Sequence, residues 1–154
     1  SDAGYADIAY KMIARKDPPS YGHWVEQGFT SLPEEFRPDY TDFATSYNHH
    51  FLGDISNWFI QGICGIKLNP HAEDVNFVRI APEFIAELDW AEGWHKAPAG
   101  EIKVKWARDG EKVLLSVTVP EGIKGEIILP AGYTDENGYS VLKLQSYENL
   151  ICIK

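Results

Sequence analysis

Glu101-Ile102-Lys103-Val104-Lys105-Trp106-Ala107-Arg108-Asp109-Gly110-Glu111-Lys112-Val113-Leu114-Leu115-Ser116-Val117-Thr118-Val119 is the stretch that decides the fold. Ile102, Val104 and Trp106 alternate with Glu101, Lys103 and Lys105, and Leu115, Val117 and Val119 alternate with Ser116 and Thr118. A period of two puts every apolar side chain of a strand on one face. Arg108-Asp109-Gly110-Glu111 lies between the two runs and reads as a hairpin turn. Val75–Ile80, Ile85–Trp90, Glu126–Leu129, Ser140–Leu144 and Asn149–Ile153 are further strand candidates. Short strands separated by Gly- and Pro-rich turns predict an antiparallel β-sandwich.

Upstream of Asn69-Pro70 the period is different. Tyr5, Ile8, Ala9, Met12 and Ile13 recur at helical spacing, with Asp2 as a candidate cap and Asp17-Pro18-Pro19 as the stop. Phe51, Ile55, Trp58, Phe59 and Ile63 mark a second helix, expected over about Asn48–Cys64. Thr45, Ser46 or Asn48 would cap it and Gly65 would end it. Between the helices, residues 18–45 form a long aromatic loop with a short helix expected near Leu32–Phe36. The expected fold class is α+β, a short helical segment over residues 1–68 followed by the sandwich over 69–154. Two helices cannot close a core of their own, so the helical half reads as the tail of a larger helical domain.

The chain has 154 residues, 44% hydrophobic and 13% aromatic, enough for a packed core and against disorder. The net charge of -9, with Lys and Arg scattered, argues against nucleic acid as a partner. The longest apolar run is too short to span a bilayer, so no membrane partner is expected. Cys64 and Cys152 have no metal-ligand spacing and fall in apolar runs, which predicts free buried thiols. The five histidines show no HxxxH or HExxH spacing, so neither a metal nor another cofactor is expected.

The chemistry concentrates in Gly28-Phe29-Thr30-Ser31-Leu32-Pro33-Glu34-Glu35-Phe36 and Ser46-Tyr47-Asn48-His49-His50-Phe51-Leu52-Gly53. Carboxylates, imidazoles and aromatic rings are the equipment of a sugar-processing pocket. Together with Tyr21-Gly22-His23-Trp24-Val25-Glu26-Gln27-Gly28 and Gly62-Ile63-Cys64-Gly65-Ile66, these motifs resemble the bacterial α-L-rhamnosidases. Those are inverting glycoside hydrolases with an (α/α)6-barrel catalytic domain. Val78-Arg79-Ile80-Ala81-Pro82 and Leu88-Asp89-Trp90-Ala91 are similar to the same family's C-terminal domain.

The resemblance implies the end of the barrel plus the C-terminal β-sandwich. It implies Glu34 as the general base and His49 as a substrate ligand. Pro33 stands where the family has Trp and Phe29 where it has a small residue, which leaves the register open between Glu34 and Glu35. An inverting glycosidase needs two carboxyl groups about 6.5–9.5 Å apart, and adjacent residues are a poor pair. The general acid is therefore expected from upstream helices of the same parent protein, and this chain alone is expected to be inactive. Rhamnose-containing glycans or glycosides are the implied substrates, and the family favours a secreted or periplasmic location.

Of the rings Tyr21, Trp24, Phe36, Tyr40 and Tyr47, Trp24 is the best candidate for a substrate-binding wall. Trp90, Trp94 and Trp106 are expected in the sandwich core or at a domain interface, and His50 on a different face of the helix from His49. Two alternatives remain: a non-catalytic carbohydrate-binding or structural β-sandwich module, and another (α/α)6 glycosidase.

Overall fold

The computed structural model describes residues 3–37, 46–68 and 73–154. Asp2, Tyr40, Thr45 and Asn69-Pro70 lie outside them. The chain divides into two compact units, Ser1–Asn57 and Trp58–Lys154.

In the first unit, α1 (Ala6–Ala14) follows the expected periodicity, while Tyr5, Ile8 and Met12 from its apolar stripe are exposed. Helix α2 (Tyr21–Glu26) was not expected. It begins at Ser20, whose side chain accepts from the His23 N–H at 3.1 Å, a standard helix-start contact. The Ser20 hydroxyl also lies 2.5 Å from the Arg15 carbonyl, tying the end of α1 to the start of α2. Gly22 sits against that corner: a Cβ there would lie 2.3 Å from the Arg15 carbonyl oxygen.

The expected helix over Asn48–Cys64 is shorter and irregular. Residues 51–54 are turns, α3 covers only Ile55–Trp58, and a π-helical turn follows at Phe59–Ile63. The cause lies upstream: the His49 N–H donates to the Leu32 carbonyl at 2.8 Å, which ties that segment to the preceding loop. No helix forms near Leu32–Phe36 for the same reason, since the Glu34 N–H is committed to the Ser46 carbonyl at 2.9 Å.

The second unit is the sandwich. One sheet has the order β1 (Ile66–Leu68), β2 (Phe77–Ile80), β6 (Lys124–Ile128), β7 (Val141–Lys143). The other has the order β3 (Trp90–Ala97), β4 (Gly100–Asp109), β5 (Lys112–Val119), β8 (Tyr147–Ile153). Pairing is antiparallel except between β2 and β6, which run parallel. The β4–β5 turn is the expected one, with Gly110 at φ 61 and Asp109 paired to Lys112. Ile102, Val104, Trp106, Leu115 and Val117 are all fully buried. At ~1.5–3 kcal/mol each, they outweigh the solvent-screened Glu92–Lys103 ion pair and set the register.

Ile85–Trp90 is not a strand. Arg108 binds that segment instead, donating from Nε to the Leu88 carbonyl at 3.0 Å and from Nη2 to those of Phe84 and Ile85 at 2.8 and 3.1 Å. The π-helical turn is bolted to the sandwich by its last carbonyls. Trp106 Nε1 donates to the Ile63 carbonyl at 3.0 Å, and the Glu83 N–H donates to that of Gly62 at 3.1 Å. These are the groups a helix end leaves without partners. Cys64 is buried and Cys152 half-buried, both free thiols. Of the three tryptophans, Trp106 is core, and Trp90 and Trp94 are exposed on the outer face of β3.

Candidate active site

Two loop segments of the first unit are laced together by backbone and side-chain bonds. The Leu32 carbonyl takes the His49 N–H, the Ser46 carbonyl takes the Glu34 N–H, and the Ser31 hydroxyl donates to the Tyr47 carbonyl. Phe29 stacks on Tyr47 at 5.6 Å, so the departure from a small residue at position 29 supplies a ring to this seam. Pro33 is buried in it.

The lacing brings Glu34 and His49 side by side, although they are 15 positions apart. His49 Nδ1 lies 4.0 Å from Glu34 Oε2. The same carboxylate oxygen accepts from the Ser46 N–H at 3.3 Å. Ser46 thus grips Glu34 twice, at its backbone N–H and at its carboxylate. Both side chains keep some access to solvent, 37% for Glu34 and 23% for His49. His49 Nε2 is shielded and has no hydrogen-bond partner among the described residues.

Glu35 goes elsewhere. It is exposed and its Oε2 takes the Arg37 Nε at 2.8 Å. Glu35 is thus drawn into a surface ion pair, whereas Glu34 faces an imidazole.

Trp24 is 2% exposed, with Phe36 stacked on it at 4.3 Å and Tyr21 edge-on at 5.2 Å. A subsite wall needs an open ring face, and burial leaves Trp24 none; it anchors the loop through Phe36. Burial, with the Asp54 carboxylate adding to it, raises the Tyr21 phenol, whose OH donates to the Leu52 carbonyl at 2.9 Å. The phenol therefore stays protonated and keeps that bond.

His50 does not point away from His49. The two rings lie parallel at 5.5 Å, because residues 49–50 precede the helical turns rather than forming one. Phe51 meets His49 edge-on at 4.2 Å. The sequence marked Phe51 only as part of a helix face and Ser46 only as a helix cap. The only local signal at Ser46 was its capping propensity, which is spent on a loop. Among the described residues, no group of three or more His, Cys, Asp or Glu could hold a metal ion.

The seam offers one half-exposed carboxylate held by an N–H, an imidazole beside it, and aromatic edges around it. That set can activate water and hydrogen-bond a polyol. Residues 1–63 match the bacterial α-L-rhamnosidase 6 hairpin glycosidase domain, and residues 75–140 match the bacterial α-L-rhamnosidase C-terminal domain. The chain belongs to the bacterial α-L-rhamnosidase family. An α-L-rhamnosidase of Alteromonas sp. is 33% identical over 142 residues, covering 86% of this chain and 15% of the relative. One from Streptomyces avermitilis is 26% identical over 141 residues, covering 88% and 14%. The chain thus spans about a seventh of the length of these relatives.

The fold is shared with solved structures. The α-L-rhamnosidase from Dictyoglumus thermophilum superposes with TM-score 0.85 at 22% identity, covering 99% of this chain and 19% of that one. The Streptomyces avermitilis α-L-rhamnosidase complexed with L-rhamnose gives 0.81 at 24%, covering 99% and 16%.

Proposed function

We propose that the protein carrying this chain hydrolyses terminal α-L-rhamnosides with inversion, with Glu34 as general base. The close approach of Glu34 Oε2 to His49 Nδ1, with the Ser46 N–H on the same oxygen, carries the reading. Glu34 takes a proton from water as that water's oxygen bonds to the anomeric carbon. The glycosidic C–O bond breaks on the opposite side, and an acid from helices outside this chain protonates the leaving oxygen. His49, whose side chain keeps 23% exposure beside Glu34, serves as the substrate ligand. Residues 1–68 close one wall of the catalytic domain, and residues 69–154 form the terminal sandwich. The relatives' names, and the L-rhamnose in the Streptomyces avermitilis structure, support the choice of sugar.

The test is Glu34→Gln and Glu35→Gln in the protein from the complete reading frame, assayed on an aryl α-L-rhamnoside. Glu34→Gln is expected to lower kcat by about 10²–10⁴, the range for loss of a general base. Glu35→Gln is expected to change it little. Near-normal turnover by Glu34→Gln refutes the assignment. A loss confined to Glu35→Gln moves the base by one position.

A further inference from the structure

The segment that carries His49 is tied down on both sides of the imidazole, and the downstream tie is a side chain. Ahead of His49, the Ser31 hydroxyl donates to the Tyr47 carbonyl. Beyond it, the Tyr21 phenol donates to the Leu52 carbonyl at 2.9 Å. Tyr21 opens α2, whose start is fixed by the Ser20 side chain. The Tyr21 ring lies edge-on to Phe36 at 5.2 Å, and Phe36 stacks on the buried Trp24 at 4.3 Å. Phe36 follows closely on Glu34, and Leu52 on His49. One side chain therefore touches both segments of the seam, each just downstream of the group that the segment presents. The turn after His49 does not supply this tie itself: the Gly53 N–H donates to the His50 carbonyl at 2.9 Å, within the same segment.

We infer that Tyr21 is a positioning residue, whose phenol hydroxyl fixes the imidazole of His49 in its place beside Glu34. The inference rests on the rhamnosidase reading and adds the group that acts through His49. Glu34 and His49 both sit on loops, and the next helix, α3, starts only at Ile55. No helical ladder sets the spacing of the two groups, so cross-links between the loops must. The Tyr21 ring packs on Trp24 and Phe36, while its hydroxyl reaches the His49 segment. Removing the hydroxyl alone therefore leaves the Glu34 side of the seam packed and releases the His49 side. A catalytic group displaced by an ångström can lose about 10²-fold in rate.

The experiment is a double-mutant cycle on kcat/KM for an aryl α-L-rhamnoside. Tyr21→Phe and His49→Ala are made singly and together in the protein from the complete reading frame, and rates are taken below the Tm of each variant. Tyr21→Phe is expected to lower kcat/KM about tenfold, inside the range that misplacement costs. On the His49→Ala background the same change is expected to cost less than about twofold, because the group it positions is gone. Equal fold losses on both backgrounds overturn the inference and make Tyr21 a packing residue of the loop. A wild-type kcat/KM in Tyr21→Phe overturns it as well. A wild-type rate in His49→Ala overturns it together with the ligand role of His49, and leaves Glu34 as the base. Failure of the rhamnosidase reading looks different: the wild-type protein leaves the rhamnoside uncleaved, or Glu34→Gln keeps its rate, and both conclusions then fall.

Discussion

Replacing Trp106 with Phe tests whether the π-helical turn is held to the sandwich by the indole. Trp106 is fully buried, its Nε1 donates to the Ile63 carbonyl at 3.0 Å, and Phe84 packs edge-on to it at 5.5 Å. Phenylalanine keeps the hydrophobic character and the ring, but removes the donor and part of the volume. The Ile63 carbonyl, at the end of a helical turn, then loses its partner while remaining buried, at a cost of ~1–3 kcal/mol. The vacated space, on the order of 40 Å³ at ~24 cal/mol per Å³, adds ~1 kcal/mol. The sum is ~2–4 kcal/mol, a large share of the ~5–15 kcal/mol that usually holds a folded protein together. With a urea dependence of ~2 kcal/mol/M, the midpoint should fall by about 1–2 M when unfolding is followed by far-ultraviolet circular dichroism. Trp94→Phe is the matched control, since the same ring change occurs at a side chain 58% exposed on the outer face of β3. It should cost no more than ~0.5 kcal/mol. A Trp106→Phe midpoint indistinguishable from that of Trp94→Phe would refute the reasoning.

The remaining predictions concern the same unit. Burial, with a smaller contribution from the Glu92 carboxylate, pushes the Cys64 thiol up to about 11. A disulfide reagent at pH 8 should therefore leave Cys64 unmodified in the native protein and modify it once denaturant is added, read by peptide mass; native modification of Cys64 would contradict its burial. The Lys103 hydrogen bond holds the Glu92 carboxyl below its usual range, with Lys105 assisting. A depressed carboxyl stabilises the fold above its unfolded pKa of about 4.3, and that contribution is lost as pH falls through the folded value. Glu92→Gln should accordingly lower Tm slightly at pH 6, with the difference closing toward pH 3 and shrinking in high salt because the pair is exposed. A difference that grows on acidification would reverse the assigned sign.

What could be read directly from residues was local. The β4–β5 hairpin depends on a two-residue period and one Gly at a tight turn, and both act within a few positions. β3 obeys the same period with the signal inverted. Ala91, Gly93, His95 and Ala97 take the inward side of Trp90–Ala97, while Trp90 and Trp94 take the outward side. Three of these four are Ala or Gly, and at Gly93 the π-helical turn comes close: a Cβ there would sit 2.6 Å from the Cys64 Sγ. A hydrophobicity pattern reads large inward side chains, so a strand whose inner face is backed by another element escapes it. The parallel β2–β6 pair escapes it too, since residues 77–80 and 124–127 meet across more than forty positions of chain.

The candidate site lies further from local signals. Helical spacing from Phe51 to Ile63 is real, but two backbone bonds outweigh it at the N-terminal end. Each backbone N–H must find a partner somewhere, and those of Glu34 and His49 find theirs across the loop seam rather than in a helix. That choice removes the first helical turns and in exchange sets a carboxylate beside an imidazole. Glu35, identical in composition to its neighbour, is drawn off by Arg37 two positions away. The distinction between the two glutamates is therefore a matter of which backbone atoms Ser46 and Leu32 present, and it became legible only when the two loops could be seen paired.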